Sequence, residues 1–204
     1  GRDARPVGRR RRRVAGAGWV LYSPSFTPIG LAIPWSFYLF RLVQDRLVAN
    51  LFHLPIPKPY GVKDERRRTL MIESQLKEGR TLEDIKTRRG TAVLEFRRLA
   101  ASARKRLGRV TVPTLVVHSR EDDQADPDNA LLAVRHIKGP TELVLLDDSY
   151  HLVTLDRQAG EVTERTLAFA ERRLGVIEKA RARAAYRTEA QKPRQSQTDA
   201  PVFA

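Results

Sequence analysis

Four consecutive segments in the second half of the chain alternate between the patterns of strands and helices. Residues 112–119 (VPTLVVHS) form a compact β-branched run and residues 141–147 (TELVLLD) form another, so both are predicted to be buried strands. Residues 126–137 and 157–174 have the apolar spacing of amphipathic helices. Strand, helix, strand and helix at these lengths indicate right-handed βαβ units. The sequence therefore predicts an α/β fold with a parallel sheet.

The first part of the chain supplies one further strand and several helices. The apolar run at residues 19–22, which is ended by Ser-Pro-Ser, predicts a buried strand. The proline-rich stretch at residues 27–60 favours irregular structure and short apolar helices. Asp64 and Thr81 are good N-cap residues for two helices, and a longer amphipathic helix follows them. We expect the elements over about residues 27–108 to form a helical cap inserted between two strands of the sheet.

The net charge of +14 is concentrated at the two ends of the chain. Residues 1–13 include seven arginines and one aspartate, and residues 175–204 lack an apolar pattern. We therefore expect a flexible basic arm, a folded domain over residues 14–174 and a disordered basic tail. The arginine run at residues 9–13 could bind phosphate groups. However, no aromatic residues are interleaved with it, so nucleic acid is not an expected partner.

The composition excludes some classes of protein and site. The absence of cysteine from the chain excludes disulfides and thiolate metal sites. No run approaches the roughly 18 consecutive apolar residues that a membrane-spanning helix needs. The most apolar segment, residues 30–43, is interrupted by Pro34 and Arg41. We therefore expect no transmembrane segment and a cytoplasmic location, and no residue spacing suggests a metal site or a cofactor.

Ionisable side chains follow each of the two strands predicted in the second half. The loop after the first strand contains Glu121, Asp122, Asp123 and Asp126, and the loop after the second contains His151. Because the carboxyl ends of neighbouring parallel strands meet at one edge of a sheet, an acid from the first loop and the imidazole are expected within hydrogen-bond reach. The carboxylate would fix the tautomer of the ring through one nitrogen. The other nitrogen would then be free to accept a proton from a nucleophile.

The other ionisable residues near these loops have plainer interpretations. Asp126 is expected to cap the helix that starts at Pro127, and Asp147 and Asp148 are expected to solvate a turn. No role is assigned to the remaining histidines, which are His53, His118 and His136.

The segments VPTLVVHSREDDQADPDNA and LLDDSYHLVTLDRQAGEV together resemble the bacterial carboxylesterases and monoacylglycerol-lipase-like enzymes of the α/β-hydrolase fold. In those enzymes a PTLVV strand leads to a D-x-x-x-x-P loop, and a final strand leads to S-x-H, a short apolar run and Asp. The resemblance covers roughly residues 14–174. It implies that Asp122 is the orienting acid and His151 the general base. It also implies a parallel sheet with a helical cap, and hydrolysis of a carboxylic ester through an acyl-enzyme without a cofactor or a metal.

The nucleophile is the part of this resemblance that the sequence lacks. In the family it lies in a G-x-S-x-G turn between a strand and a helix, upstream of the acid. No such motif occurs in the 204 residues. Ser23 is followed by Pro24, which has no N–H for an oxyanion hole, and Ser25 lacks the flanking glycines. We therefore expect a partial α/β-hydrolase fold without the N-terminal strands and the nucleophile elbow, and the nucleophile is unknown.

Two functions from different classes remain open on the sequence. The resemblance implies a serine hydrolase of carboxylic esters, with short-to-medium acyl esters or monoacylglycerols as small-molecule substrates, and a chain that is a fragment lacking its nucleophile. The alternative is a non-catalytic binding or accessory protein that uses its basic arms on nucleic acid or acidic surfaces. The sequence makes no prediction of the oligomeric state.

Overall fold

The computed structural model describes residues 18–27, 40, 42–56 and 58–190 of the chain. The expected basic arm at residues 1–13 lies outside the described residues. So do residues 28–39, which belong to the expected cap, and residues 191–204 of the expected tail.

Three strands form a parallel sheet, as the sequence predicted. Strand β1 (Trp19–Tyr22), strand β4 (Thr114–Ser119) and strand β5 (Thr141–Leu146) lie in the order β1-β4-β5. Thr114 pairs with both Trp19 and Thr141, so the three strands begin at the same level. Their carboxyl ends consequently lie along one edge of the sheet, where the two ionisable loops begin.

The strands differ in burial more than the sequence predicted. All six residues of β4 are buried, because this strand pairs on both sides. The expectation of buried strands was wrong for β1 and for most of β5. Trp19 is 49% exposed, and only Leu146 of β5 is fully buried. Within the described residues each of these two strands pairs on one side only, which leaves its other side open.

Helices cover both faces of the central strand. Helix α5 (Asp128–His136) places Ala133 in an apolar cluster with Val116 of β4. Leu115 and Val117 belong to a second cluster, which contains Phe169 of the long closing helix. Successive residues of a strand point to opposite faces, so this alternation follows directly from the buried apolar run. The result is a sheet with a helical layer on each face.

The residues between β1 and β4 form a separate set of short elements. The helices are α1 (Arg46–Asn50), α2 (Glu65–Lys77), α3 (Leu82–Lys86) and α4 (Gly90–Arg106), followed by a 3-10 turn at Leu107–Arg109, and β2 (His53–Pro55) pairs antiparallel with β3 (Thr87–Arg89). Both predicted N-caps are confirmed. The carboxylate of Asp64 accepts a hydrogen bond from the Arg67 N–H, and Thr81 forms a capping box with Asp84.

The closing helix α6 (Ala159–Ala190) is longer than the sequence predicted. The tail was expected to be disordered from residue 175, but residues 175–190 continue the helix. The expectation relied on the loss of an apolar pattern. These residues are rich in alanine, arginine, lysine and glutamate, which have high intrinsic helix propensity, so the backbone can stay helical without a core to cover. No helix in the described ranges is both long and apolar enough to cross a membrane.

Candidate active site

The loops that follow β4 and β5 bring Asp122 and His151 into direct contact. His151 Nδ1 lies 2.8 Å from Asp122 Oδ2 and 3.1 Å from Asp122 Oδ1. The carboxyl group of Asp122 is fully buried, whereas 20% of the His151 side chain is exposed. The carboxylate is thus held inside the protein while one side of the imidazole remains accessible to solvent.

A tight turn holds the Asp122 carboxylate in place. Its Oδ1 atom accepts hydrogen bonds from the backbone N–H groups of Gln124 and Ala125, both at 2.8 Å. This local pattern is the usual way in which an aspartate folds a turn back onto its own side chain. With Oδ1 committed to the turn, Oδ2 is the oxygen that faces the histidine ring.

The other acids of the same loop point to different partners. Glu121 forms an ion pair with Lys63, and the carboxylate of Asp126 accepts from the Asp128 N–H. Asp126 was expected to cap a helix that starts at Pro127, but α5 begins at Asp128 and Pro127 occupies the N-cap position. Asp123 Oδ2 accepts from the backbone N–H of Gly61 at 3.0 Å. Asp122 is therefore the acid of this loop whose carboxylate contacts the His151 ring.

His118, to which the sequence assigned no role, lies behind the carboxylate. It is fully buried on β4, and its Nε2 is 2.9 Å from the Ala125 carbonyl oxygen and 3.3 Å from Asp122 Oδ2. Burial lowers the pKa of His118, which favours the neutral ring. Because both neighbours of Nε2 are oxygen acceptors, Nε2 is the nitrogen that carries the proton and donates. Its Nδ1 is buried and has no hydrogen-bond partner among the residues that the structure describes. His118 thus closes the inner side of the site as a neutral donor.

The carboxylate of Asp156 binds backbone N–H groups of the histidine loop and of the segment beside it. This fully buried carboxylate accepts hydrogen bonds from four backbone N–H groups, which belong to Lys63 (2.7 Å), Asp64 (3.0 Å), Tyr150 (2.7 Å) and Arg157 (2.9 Å). Several N–H donors are what a buried carboxylate needs to offset its lost hydration. The aspartate five positions after His151 therefore fixes the loop on which the imidazole stands.

A second and more exposed set of charges forms ion pairs between Lys63 and the two loops of the site. Lys63 forms ion pairs with Glu121 and with Asp148, and Arg157 also pairs with Asp148 at 3.0 Å. The hydrogen bond from Lys63 lowers the pKa of Asp148, and the same contact raises the pKa of Lys63. Asp148 was expected only to solvate a turn, so these partners are a finding of the structure. Asp147 similarly pairs with Arg120 at 2.7 Å.

The two serines that follow β1 make local hydrogen bonds. Ser23 is buried after β1 and donates from its hydroxyl to the backbone carbonyl of His151 at 2.6 Å. Ser25 donates to the Ser23 carbonyl at 3.1 Å. In the described part of the chain, no group of three or more histidine and acidic side chains could hold a metal ion.

The chain is similar to hydrolases of known families. The family model described as "Serine aminopeptidase, S33" matches residues 4–158. A thermostable monoacylglycerol lipase from Bacillus sp. strain H-257 is 34% identical over 85 residues, which are 41% of this chain and 34% of that enzyme.

Solved structures of lipolytic enzymes have a similar fold. One comes from the metagenome-derived lipolytic enzymes LipS and LipT, with 25% identity, a TM-score of 0.57 and coverage of 76% of this chain and 55% of that one. The monoacylglycerol lipase of Paleococcus ferrophilus has 16% identity and a TM-score of 0.52 over 74% of this chain and 56% of that one. The chain thus spans about a third of the curated relative's length and little more than half of these structures.

Proposed function

Because the chain belongs to the S33 serine aminopeptidase family of the α/β-hydrolase fold, we propose that Asp122 and His151 are the acid and the base of a serine hydrolase of carboxylic esters. The observation that carries the proposal is the 2.8 Å contact between His151 Nδ1 and the buried carboxylate of Asp122. A buried acid that accepts from one ring nitrogen and leaves the other free is the arrangement that base catalysis by histidine requires.

In the proposed reaction, His151 Nε2 takes the proton of a serine hydroxyl while the serine oxygen forms a bond to the acyl carbonyl carbon. Asp122 stabilises the imidazolium that results. When the tetrahedral intermediate collapses, the bond between the acyl carbon and the alcohol oxygen breaks, and Nε2 returns the proton to that oxygen. Water then attacks the acyl-enzyme with the same help from His151, which releases the acid and restores the serine.

We further propose that the attacking serine is not one of the 204 residues. The sequence holds no G-x-S-x-G, and Ser23 is followed by a proline that has no N–H for an oxyanion hole. The Ser23 hydroxyl is also engaged with the backbone carbonyl of His151 rather than with its ring. On this proposal the chain contributes the acid and the base of a larger hydrolase site.

Acyl esters, including monoacylglycerols, are the substrates that we propose. The family description names an aminopeptidase, but the 34%-identical relative is named as a monoacylglycerol lipase. We propose that about residues 27–108 form the cap of a domain over residues 14–174. The apolar cluster of Phe40, Ala49, Leu54, Val93 and Leu94 supports this, since it gives the segment a core of its own.

The tautomer of His151 tests the proposed pair. In Asp122→Asn, we expect the amide oxygen to replace Oδ1, which accepts from two backbone N–H groups, so the amide nitrogen would face the ring. The ring would then have to present an unprotonated Nδ1 and carry its proton on Nε2. Nitrogen-15 NMR of the imidazoles should show protonated Nδ1 in the wild type and protonated Nε2 in the variant.

The exposed carboxylate of Asp147 supplies the matched control. Asp147→Asn removes the same charge outside the site and should leave the His151 spectrum unchanged. Only four histidines are present, so each ring can be assigned with a single histidine-to-glutamine variant. The proposed roles would be contradicted if the His151 ring carried its proton on Nε2 in the wild type. They would also be contradicted if Asp122→Asn left the His151 spectrum unchanged.

A further inference from the structure

One short segment of the chain contacts both loops of the candidate site. The bridging segment, residues 58–64 (KPYGVKD), runs into helix α2. At its centre, the Gly61 N–H donates to Asp123 Oδ2 at 3.0 Å, and the Gly61 carbonyl oxygen accepts from the Leu152 N–H at 2.7 Å. Asp123 is the neighbour of Asp122, and Leu152 is the neighbour of His151. A single residue therefore joins the acid loop to the histidine loop.

The end of the bridging segment is tied to the histidine loop a second time. The N–H groups of Lys63 and Asp64 both donate to the buried carboxylate of Asp156, at 2.7 and 3.0 Å. Arg67, in the first turn of α2, adds a hydrogen bond from its guanidinium to the Asp156 carbonyl oxygen at 2.6 Å. The segment is thus fixed on both sides of Gly61, so its position relative to His151 is set by several contacts.

Gly61 also makes a close approach that only glycine permits. Its φ is +82°, in the left-handed region that side chains rarely adopt. A Cβ atom at this position would lie 3.2 Å from His151 Cβ and 2.7 Å from Gln124 Nε2. The backbone of Gly61 therefore packs directly behind the imidazole-bearing carbon, and any added atom must push against it.

We propose that Gly61 is a positioning residue for His151, because its peptide groups and its bare Cα hold the imidazole at hydrogen-bonding distance from Asp122. The proposal rests on the proposed roles of Asp122 and His151. It gives the segment between β1 and β4 a direct mechanical link to the base, since a shift of the bridging segment must move the acid loop, the histidine loop or both.

Gly79 provides a matched control for this proposal. It lies in the turn after α2 with φ +84°, and a Cβ there would meet nothing within 4 Å. Gly61→Ala and Gly79→Ala therefore carry the same backbone strain, but only the first crowds His151. With imidazole nitrogen-15 NMR as the readout, we expect Gly61→Ala to shift the His151 signals several times more than Gly79→Ala does, with a visible loss of Nδ1 protonation.

A second pair of variants adds no atoms and covers the case in which Gly61→Ala does not fold. Asp123→Ala removes the acceptor of the Gly61 N–H and also the interaction of this carboxylate with the His151 backbone. Asp123→Asn keeps an oxygen that can take its place. We expect the His151 signals to move in Asp123→Ala and to return in Asp123→Asn. A change that only lowered stability would leave the ring signals of His151 in the folded protein unchanged.

The outcomes separate this inference from the function on which it rests. If Asp122→Asn changes the tautomer of His151 while Gly61→Ala resembles Gly79→Ala, Gly61 is not a positioning residue and the acid–base pair stands. The same conclusion follows if both Asp123 variants leave His151 unchanged. If Asp122→Asn has no effect on the ring, the proposed acid–base pair is wrong. The proposal that Gly61 positions His151 for that pair then fails with it.

Discussion

Two groups of charged residues lie at the same edge of the sheet and are built in opposite ways. The buried group contains Asp122, Asp123 and Asp156, whose carboxylates accept from backbone N–H groups and, at Asp122, face two imidazoles. The exposed group contains Lys63 and Asp148, which pair with each other and with neighbouring side chains. The first group depends on the fold of the chain, and the second depends on flexible side-chain ends.

The difference indicates which contacts can hold a catalytic geometry. A buried carboxylate that loses its N–H donors keeps an unpaired charge in a medium of low dielectric constant, so its partners cannot drift without a large cost. An exposed ion pair exchanges readily with water and salt and contributes little net stability. We therefore expect the position of His151 to depend on the buried group more than on the exposed group.

Asp156→Ala should produce the largest effect on stability. The substitution removes the acceptor of four backbone N–H groups that join the bridging segment to the histidine loop. Leaving such groups unsatisfied should lower the free energy of unfolding by about 3 kcal/mol. Urea denaturation followed by circular dichroism measures the change. If Asp156→Ala lowered the free energy of unfolding no more than Asp148→Ala does, the proposed difference between the buried and the exposed group would be contradicted.

His118→Phe should have the next largest effect. Phenylalanine fills the space of the ring but cannot donate to the Ala125 carbonyl oxygen or to Asp122. We expect a loss of about 2 kcal/mol in unfolding free energy, because a buried acceptor is left without its donor. His118→Gln, whose amide can reach the position of Nε2, should recover part of this loss. His136→Gln, on an exposed helix position, serves as the reference.

The pH dependence of stability should also separate the groups. Burial lowers the pKa of His118 below the ordinary value of 6.5, so the unfolded chain binds this proton more readily than the native protein does. The contribution of His118 is therefore fully present above pH 6.5 and is lost as the pH falls through the lower native value. Urea midpoints of the wild type should fall on the acid side of pH 6.5, and His118→Gln should show a weaker fall. Parallel profiles for the two proteins would contradict this assignment.

Asp148→Asn should have the smallest effect. The side chains of Asp148 and Arg157 are 51% and 45% exposed, and Asp148 also pairs with the less exposed Lys63. We expect no measurable change in the free energy of unfolding and no change in the His151 spectrum, in low or in high salt. A clear shift of the His151 ring signals in this variant would mean that the exposed charges also determine the site.

The sequence predicted the parts of the fold that follow local patterns. The β-branched run of β4 and the N-caps at Asp64 and Thr81 are local signals, and each gave the right element. Topology also predicted that an acid of the first loop would contact His151, because both loops leave neighbouring parallel strands. The choice of Asp122 among those acids came from the family resemblance. The burial of β1 and β5 could not be predicted in this way, since it depends on which strands flank them.

The supporting residues of the site could not be found from the same signals. His118 lies inside an apolar strand. The pattern of residues in that strand does not indicate that the following turn brings the Asp122 carboxylate next to the His118 ring. Gly61 directly follows the proline-rich stretch, and its position in space is set by contacts with Asp123 and Leu152, which are distant in the chain. One usable signal was the glycine itself, which often marks a close approach of the backbone. The extension of α6 was missed because only apolar spacing was considered and helix propensity was not.

On the function proposed above, the chain carries the acid and the base of a hydrolase without a serine of their own. Labelling of the purified chain with a fluorophosphonate probe, beside His151→Ala and with mass mapping of any adduct, tests this most directly. We predict that the folded wild-type chain forms no stoichiometric adduct, as expected when no nucleophile lies opposite His151. A stoichiometric adduct on one serine that disappears in His151→Ala would show that the chain contains a complete catalytic site, and would contradict the proposal.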